Sequence, residues 1–392
     1  MDCKSLNKYL TLTHLNVYAI DPENCTDADD AFSVIKNEKD TILWIFIADP
    51  TLEYTLEEFL NSEMLKNGTT KYYIDKTPEH LFPEDIVEKY SLNKGIKPAL
   101  GVKVVFDKNY NILESSVMNV KIKIKEHKCY TTTEIDPVLE EALRISDSLF
   151  EKRTGKGKIL HNYFLAEVKK SETGWKLYNT DVKTRNLKNL IAEYAILANC
   201  VIAEITQHTF TRQCNTVNED YKDPVLFLEN IVKNGIKATY TTNQNEKHLM
   251  IDDKFYTHFT SPLRRASDCL VHYILRGEII EKTTLQKHAE RINMISKQNK
   301  KRSWEETKKA ILNAMNKMPK PINVKIRITG QYNQFLNMSI VQINEFPVLV
   351  SLSMKMKEQK KYTNINIKIN TINIEKKFDS EILPEIFNLL KN

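Results

Sequence analysis

Glycine is scarce in this chain: there are 9 in 392 residues, and none lies between Asp21 and Asp30. Long apolar runs are missing too. The longest, Ile42 to Ala48, falls far short of the roughly 20 residues a membrane span needs. The start, Met-Asp-Cys-Lys-Ser, lacks the apolar core of a signal peptide. Six cysteines (Cys3, Cys25, Cys129, Cys200, Cys214, Cys269) include no C-x-x-C pair, which argues against a zinc ribbon and a disulfide framework. The expectation is a protein with no membrane association in a reducing compartment, cytoplasmic with nuclear as the alternative. What is present suits a large globular fold. Hydrophobic residues make up 41%, charged residues 28%, and the formal net charge is +6. That modest basic excess suits a polyanionic partner.

The acid is concentrated. Asp21, Asp27, Asp29 and Asp30 share one short segment between the apolar stretches Val17–Ile20 and Ala31–Ile35. That reads as strand, acidic loop, strand. Carboxylates this close repel one another unless cations neutralise them. Oxygen donors suit a hard divalent ion, Mg²⁺ or alternatively Mn²⁺. A calcium loop of the EF-hand kind needs a central glycine and a terminal glutamate, and the missing glycine sets it aside. A solvated acidic turn is the plainer alternative. Magnesium is commonly shared between a few carboxylates and substrate phosphate oxygens, so the loop suggests phosphoryl chemistry on a nucleotide or nucleic acid. Two ions about 3.5–4 Å apart could clamp the attacking and leaving oxygens.

Further along, Thr41–Ala48 reads as a buried strand stopped by Asp49-Pro50, and Leu56–Lys66 as a short helix ended at Gly68. Ala99–Phe106 and Ile112–Ile124 read as strands joined by a turn at 107–109. Asp136-Pro137 opens a helix to about Arg153, and Leu187–Thr206 is a second one, apolar on one face. A helix is expected near Val225–Val232, another from Leu263 to Arg276 capped by Ser261-Pro262, and a long charged one over Thr284–Met315. Beyond Pro319 and Pro321 the pattern alternates, as in Ile322–Ile328 and Asn364–Ile369, which means strands. The expected fold class is α+β. A body of mixed sheet and helices over 1–317 would precede a small β-barrel over 318–392.

A second motif runs from His258 to Asp268, His-Phe-Thr-Ser-Pro-Leu-Arg-Arg-Ala-Ser-Asp. Read by itself, it sets backbone N–H groups and two arginines at a helix start, where anions bind favourably. Arg264 and Arg265 can grip phosphates with two parallel bonds. An ordinary N-cap with two surface arginines is the plainer alternative.

Together, the acidic loop and this motif resemble those of the RNase II family, whose catalytic unit is the RNB domain. The branch it looks most similar to is the catalytic subunit of the eukaryotic exosome. Tyr256 and Thr257 extend the match of the second motif. Weaker likenesses lie at Ile47–Thr51, Thr69–Asp75, Leu190–Asn199 and Ala289–Asn293, so the resemblance spans about residues 15 to 312. It implies an RNB catalytic domain followed by an S1/OB-like barrel. It also implies Mg²⁺-dependent 3′→5′ hydrolysis of single-stranded RNA to nucleoside 5′-monophosphates.

Carried over residue by residue, the catalytic set is Asp21, Asp27, Asp29 and Asp30. Asp21, Asp27 and Asp30 would hold metal, and Asp29 would position the terminal nucleotide. Tyr72, Tyr130, Glu193, Ser261, Arg264 and Arg265 would contact RNA. Core packing is the plainer reading of either tyrosine, and a helix-surface charge that of Glu193. There are departures from the family pattern. The acidic loop begins at residue 21, so the expectation is that the family's cold-shock barrels do not fit ahead of it and that a partner protein supplies further RNA-binding domains. The aromatic expected after the arginine pair is Ala266. The family's arginine near the scissile phosphate falls in about 225–245, where Lys233 and Lys237 are candidate replacements. Two other functions stay open: an RNA-binding or scaffold protein with weak or no nuclease activity, and a nuclease acting on DNA.

Overall fold

The structure is a computed structural model that describes residues 8–154, 165–214, 238–248, 251, 254–319, 321–332, 335–355 and 364–369. Its first sheet is built from β1 (Leu10–Thr11), β2 (Val17–Asp21), β3 (Asp30–Lys36), β4 (Thr41–Ala48), β5 (Gly95–Phe106) and β6 (Ile112–Cys129). Strands β2 to β5 pair antiparallel in sequence order. Strand β6 joins both ends. It pairs antiparallel with β5 between Ile112 and Ile124, then parallel with β2 from Ile124 to Cys129. The pairings therefore close a ring of five strands, and the short β1 adds to the side of β6. β6 is longer than its apolar alternation suggests, because that alternation stops at Ile124 while the pairing with β2 runs on.

Helices cover this sheet. α1 (Leu56–Asn61), α2 (Glu63–Asn67) and α3 (Glu84–Tyr90) lie between β4 and β5 in sequence, and α4 (Pro137–Thr154) and α5 (Val182–Ile205) follow β6. Phe32 of β3 stacks with Tyr18 of β2 and meets the ring of Tyr194 on α5 edge-on at 5.4 Å. Tyr194 in turn donates its hydroxyl to the Ala142 carbonyl on α4, at 2.9 Å. The two long helices are thus fixed to each other and to the sheet through one buried tyrosine.

The single helix expected over Leu56–Lys66 is two. Ser62 adopts extended geometry and its hydroxyl caps α2 by accepting the Leu65 N–H, so the chain restarts there. Gly68 ends α2 at a φ of 72°. The helix expected from Leu263 begins instead at Ala266, as α6 (Ala266–Leu275). Residues 261–265 form a turn for a reason given below. The expected long helix is α7 (Lys282–Lys317). The expected helix near 225–232 lies outside the described residues.

The hairpin of β7 (Glu167–Ser171) and β8 (Gly174–Tyr178) precedes α5, and the short pair β9 (Thr211–Cys214) and β10 (Ala238–Thr241) follows it. After α7 come β11 (Ile322–Tyr332), β12 (Phe335–Ile343), β13 (Phe346–Lys355) and β14 (Asn364–Ile369), antiparallel in the order β13-β12-β11-β14. Ile322, Val324, Ile326, Ile340 and Val350 of this sheet pack with Ile311, Leu312 and Met315 of α7 and Leu177 of β8. That makes a second core, separate from the first. Period-two patterning is met there, and among the described residues the four strands form an open sheet with β13 and β14 at its edges. Among the described residues no helix is long and apolar enough to cross a membrane.

Candidate active site

The ring of strands sets the acidic loop. Asp21 ends β2 and Asp30 begins β3, so the segment between them is a crossing at one end of the sheet. The loop is pinned rather than free. The Ala28 N–H donates to Ser91 Oγ at 3.0 Å, the Leu92 N–H to the Ala28 carbonyl at 2.8 Å, and the Ala48 N–H to the Asp29 carbonyl at 2.8 Å. Asn24 takes the left-handed backbone conformation, φ 61°, in a turn with no glycine to do it; asparagine is among the few residues that tolerate this.

The second motif meets this loop at Asp29. One carboxylate oxygen accepts the Leu263 N–H at 2.8 Å, and the other accepts Arg264 Nε at 2.9 Å, across 234 and 235 residues of sequence. The Arg264 and Arg265 N–H groups close a turn on the Ser261 carbonyl, at 3.3 and 3.0 Å, and the helix starts late because the Ala266 N–H and the Arg264 carbonyl are taken by residues 68–70. Asp29 is 3% exposed. Burial pushes its carboxyl well up, while Arg264 and the Leu263 N–H pull it down. Arg264 is raised above the usual arginine range: burial acts to lower it, and Asp29, Tyr72 and Asp268 together outweigh that.

The segment bearing Tyr72 is stitched to the same turn. Thr69 Oγ1 and the Thr70 N–H both donate to the Arg264 carbonyl, at 2.7 and 3.0 Å, and the Ala266 N–H donates to the Gly68 carbonyl at 2.9 Å. The Tyr72 hydroxyl donates to Asp27, and the residue is 43% exposed. Burial, then the Asp27 charge, lifts its pKa. The half-buried Tyr130 donates its N–H to the Asp21 carbonyl at 3.1 Å. Burial, then Asp30 and Asp21, raises its hydroxyl pKa. Asp30 has a carboxyl pushed up to about 7, by burial first and the Asp21 charge next.

Other expected residues are already engaged. Glu193 is no surface charge: it is buried on α5 and gripped by both Nε and a terminal nitrogen of Arg153. Arg265 donates to Asp268 at 2.7 Å, and the Ser261 N–H donates to the same Asp268 oxygen at 2.8 Å. Arg264 is the more open of the two arginines, its side chain 42% exposed. The stretch 225–245, where the scissile-phosphate arginine was expected, lies partly outside the described residues, as do Lys233 and Lys237.

The structure also adds two histidines that no motif signalled. His127 Nε2 lies 3.1 Å from Asp21 Oδ2, and His80 Nδ1 lies 3.7 Å from Asp27 Oδ2. Each comes from a segment remote from the loop. Asn199 is a further addition, since its Oδ1 accepts the Phe259 N–H at 2.8 Å and so ties α5 to the second motif.

The expected metal triad is not drawn around one point. Among the described residues no group of three His, Cys, Asp or Glu is arranged to hold a metal ion. His127 hydrogen-bonds Asp21, Tyr72 hydrogen-bonds Asp27, and the charge of Asp21 bears on Asp30. The donor set itself fits a hard cation. It is all carboxylate oxygen, and the raised Asp30 shows a negative charge in need of compensation.

The RNB-domain family matches residues 9–220 and 205–281. This chain belongs to the RNB-domain family. Among similar proteins, Ribonuclease R of Aquifex aeolicus (strain VF5) is 26% identical over 346 residues, covering 72% of this chain and 49% of the relative. Exosome complex exonuclease RRP44 of Homo sapiens is 22% identical, covering 69% of this chain and 34% of the relative. The chain thus spans about half the length or less of these RNB relatives. Among solved structures, the apo form of Mycoplasma genitalium RNase R aligns with a TM-score of 0.74 at 18% identity, covering 95% of this chain and 72% of that one. Yeast Ssd1, described as a pseudonuclease, aligns with a TM-score of 0.68 at 16% identity, covering 86% and 50%. These likenesses establish the RNB fold.

Proposed function

We propose that this RNB chain is a 3′→5′ exoribonuclease that hydrolyses single-stranded RNA to nucleoside 5′-monophosphates. The carrying observation is the meeting of the two motifs at Asp29, where Arg264 and the Leu263 N–H converge on a carboxylate of the acidic loop. Asp21, Asp27 and Asp30 would hold Mg²⁺, or Mn²⁺ in its place. When bound, such ions supply positive charge beside the phosphoryl oxygens and make water a stronger nucleophile. Arg264, anchored through Nε to Asp29 and through Nη2 to Ser261 Oγ at 2.8 Å, keeps Nη1 to reach a phosphate and stabilise charge as it develops. Asp29 orients that arginine and, through it, the end of the strand. The exposed Tyr72 offers a ring face on which a base of any sequence can stack, worth about 1–3 kcal/mol. Tyr130 lies beside the same carboxylates. The exchange balances simply: water adds to phosphorus, the bond to the 3′-oxygen breaks, and that oxygen takes up the proton.

Residues 1–317 are proposed as the catalytic domain and 318–392 as an S1/OB-like RNA-binding domain. A partner protein supplying further RNA-binding domains fits the same reading. RNA binding with weak or no hydrolysis is the second reading. It is favoured by the commitment of Glu193 and Arg265 to partners in the chain.

A time course on 5′-labelled single-stranded RNA and its DNA counterpart, with Mg²⁺ and with EDTA, separates the readings. Shortening of RNA from its 3′ end, abolished by EDTA, is expected. An intact band with a retained gel shift would instead establish the binding protein. Asp29→Asn is expected to lose hydrolysis by at least 100-fold while RNA binding persists; a fully active variant would refute the assignment.

A further inference from the structure

The parallel pairing of β6 with β2 places His127 opposite Ala19 and Cys129 opposite Asp21. His127 leans forward along the strand to bring Nε2 within 3.1 Å of Asp21 Oδ2. One residue past the end of β6, the Tyr130 N–H holds the Asp21 carbonyl at 3.1 Å. Asp21 is therefore fixed from β6 at two points, one on its main chain and one on its carboxylate. The hydrogen bond occupies one carboxylate oxygen, and among the described residues no hydrogen-bond partner is recorded for Oδ1. His127 is reachable from solvent, since it lines an open polar hollow of about 500 Å³ with Lys128, Cys129 and Thr131. The neighbouring charges are accounted for, Lys128 lying 2.6 Å from Glu126 and 4.0 Å from Glu134. Asp21 is thus the carboxylate His127 serves.

We infer that His127 is a positioning residue for a divalent cation. Its Nε2–H holds Asp21 Oδ2 so that Oδ1 is aimed at the ion, while the imidazole itself stays out of the coordination. A carboxylate with one oxygen already hydrogen-bonded loses less freedom on taking a metal, and removing such an outer partner costs about 10- to 100-fold in metal affinity. The neutral Nε2–H tautomer suffices, so the role needs no positive charge on the ring. This inference rests on the assignment of Asp21 as a metal ligand, and the test separates the two.

The experiment is titration calorimetry of the whole chain with Mn²⁺ alone, without RNA, on wild type, His127→Ala, His127→Gln and Asp21→Asn. Thermal melts in EDTA report on folding. A glutamine amide can place an N–H where Nε2–H stands and is a poor metal ligand. The expected result is 10- to 100-fold weaker Mn²⁺ binding in His127→Ala, with His127→Gln within about threefold of wild type and melting points alike. If His127→Ala binds as wild type does while Asp21→Asn loses binding, the positioning role is overturned and the metal site stands. If His127→Gln falls with His127→Ala, the ring ligates directly, which also overturns it. If Asp21→Asn binds Mn²⁺ normally, the assignment of Asp21 falls first and the role of His127 with it.

Discussion

Individual residues of the acidic loop and second motif were legible because their chemistry is local: four carboxylates in one loop and two arginines after Ser-Pro need no fold to be noticed. Their partners were not. Nothing in the neighbourhood of Arg153 announces Glu193, 40 residues away, nor of His127 the carboxylate of Asp21. The Arg153–Glu193 pair is buried, so loss of one partner leaves a charge without compensation. Arg153→Met is expected to cost about 3–5 kcal/mol of stability, read from urea unfolding; a loss under about 1 kcal/mol would mean that water reaches the glutamate. Asp30 carries a pH signature. Its folded pKa is raised to about 7, above the ordinary 3.8, so the folded state binds the extra proton between those values. Its contribution to stability is complete below the ordinary carboxylate pKa and is lost as pH rises through 7. In EDTA, wild type is expected to lose melting temperature relative to Asp30→Asn as pH rises from 5 to 8. Two parallel curves would remove the claim.

Elements were legible where an apolar period coincided with a start or stop signal. α5 and α7 follow this, although the Asp181 cap that begins α5 lies before the first apolar residue, and the turn it adds was missed. α6 is the instructive failure. Ser261-Pro262 has the local chemistry of a helix start, but Gly68 takes the Ala266 N–H and Thr69 and Thr70 take the Arg264 carbonyl, groups a helix from Leu263 would need, and the helix is delayed to Ala266. A tertiary partner had outbid a local preference, and no window of sequence contains both. The junction at Gly68 is similarly long-range. Its φ of 72° suits glycine, and a Cβ there would stand 3.2 Å from Ile295 Cδ1 on α7. Gly68→Ala is expected to destabilise by about 1 kcal/mol or somewhat more, measured by chemical denaturation. Because the Gly68 carbonyl takes the Ala266 N–H, RNA turnover should fall as well. An unchanged midpoint would show that α7 yields without cost.

At the scale of the whole molecule, the α+β class and the break in pattern near Pro319 could be read from periodicity, whereas the closed ring could not. Ring closure depends on β6 serving two partners along one strand, a matter of register that no residue type encodes. The charge distribution is also a whole-molecule property. The chain carries a formal net charge of +6, and burial, then the charges of Arg265 and Arg212, hold the His258 imidazole well below its usual range. RNA affinity is therefore expected to depend on salt. For about four phosphates neutralised on a single strand, a rise from 50 to 200 mM should weaken binding roughly 50-fold; filter binding across that range would show a flat line if base stacking alone held the strand. The contact between Asp29 and Arg264 has one more consequence, in time rather than space. With Arg264 placed 235 positions after Asp29 and synthesis at about 5–20 residues per second, some 10 to 50 s pass between the joining of Asp29 to the chain and that of its arginine. Throughout that interval the nascent chain holds an incomplete centre beside the very messenger that encodes it.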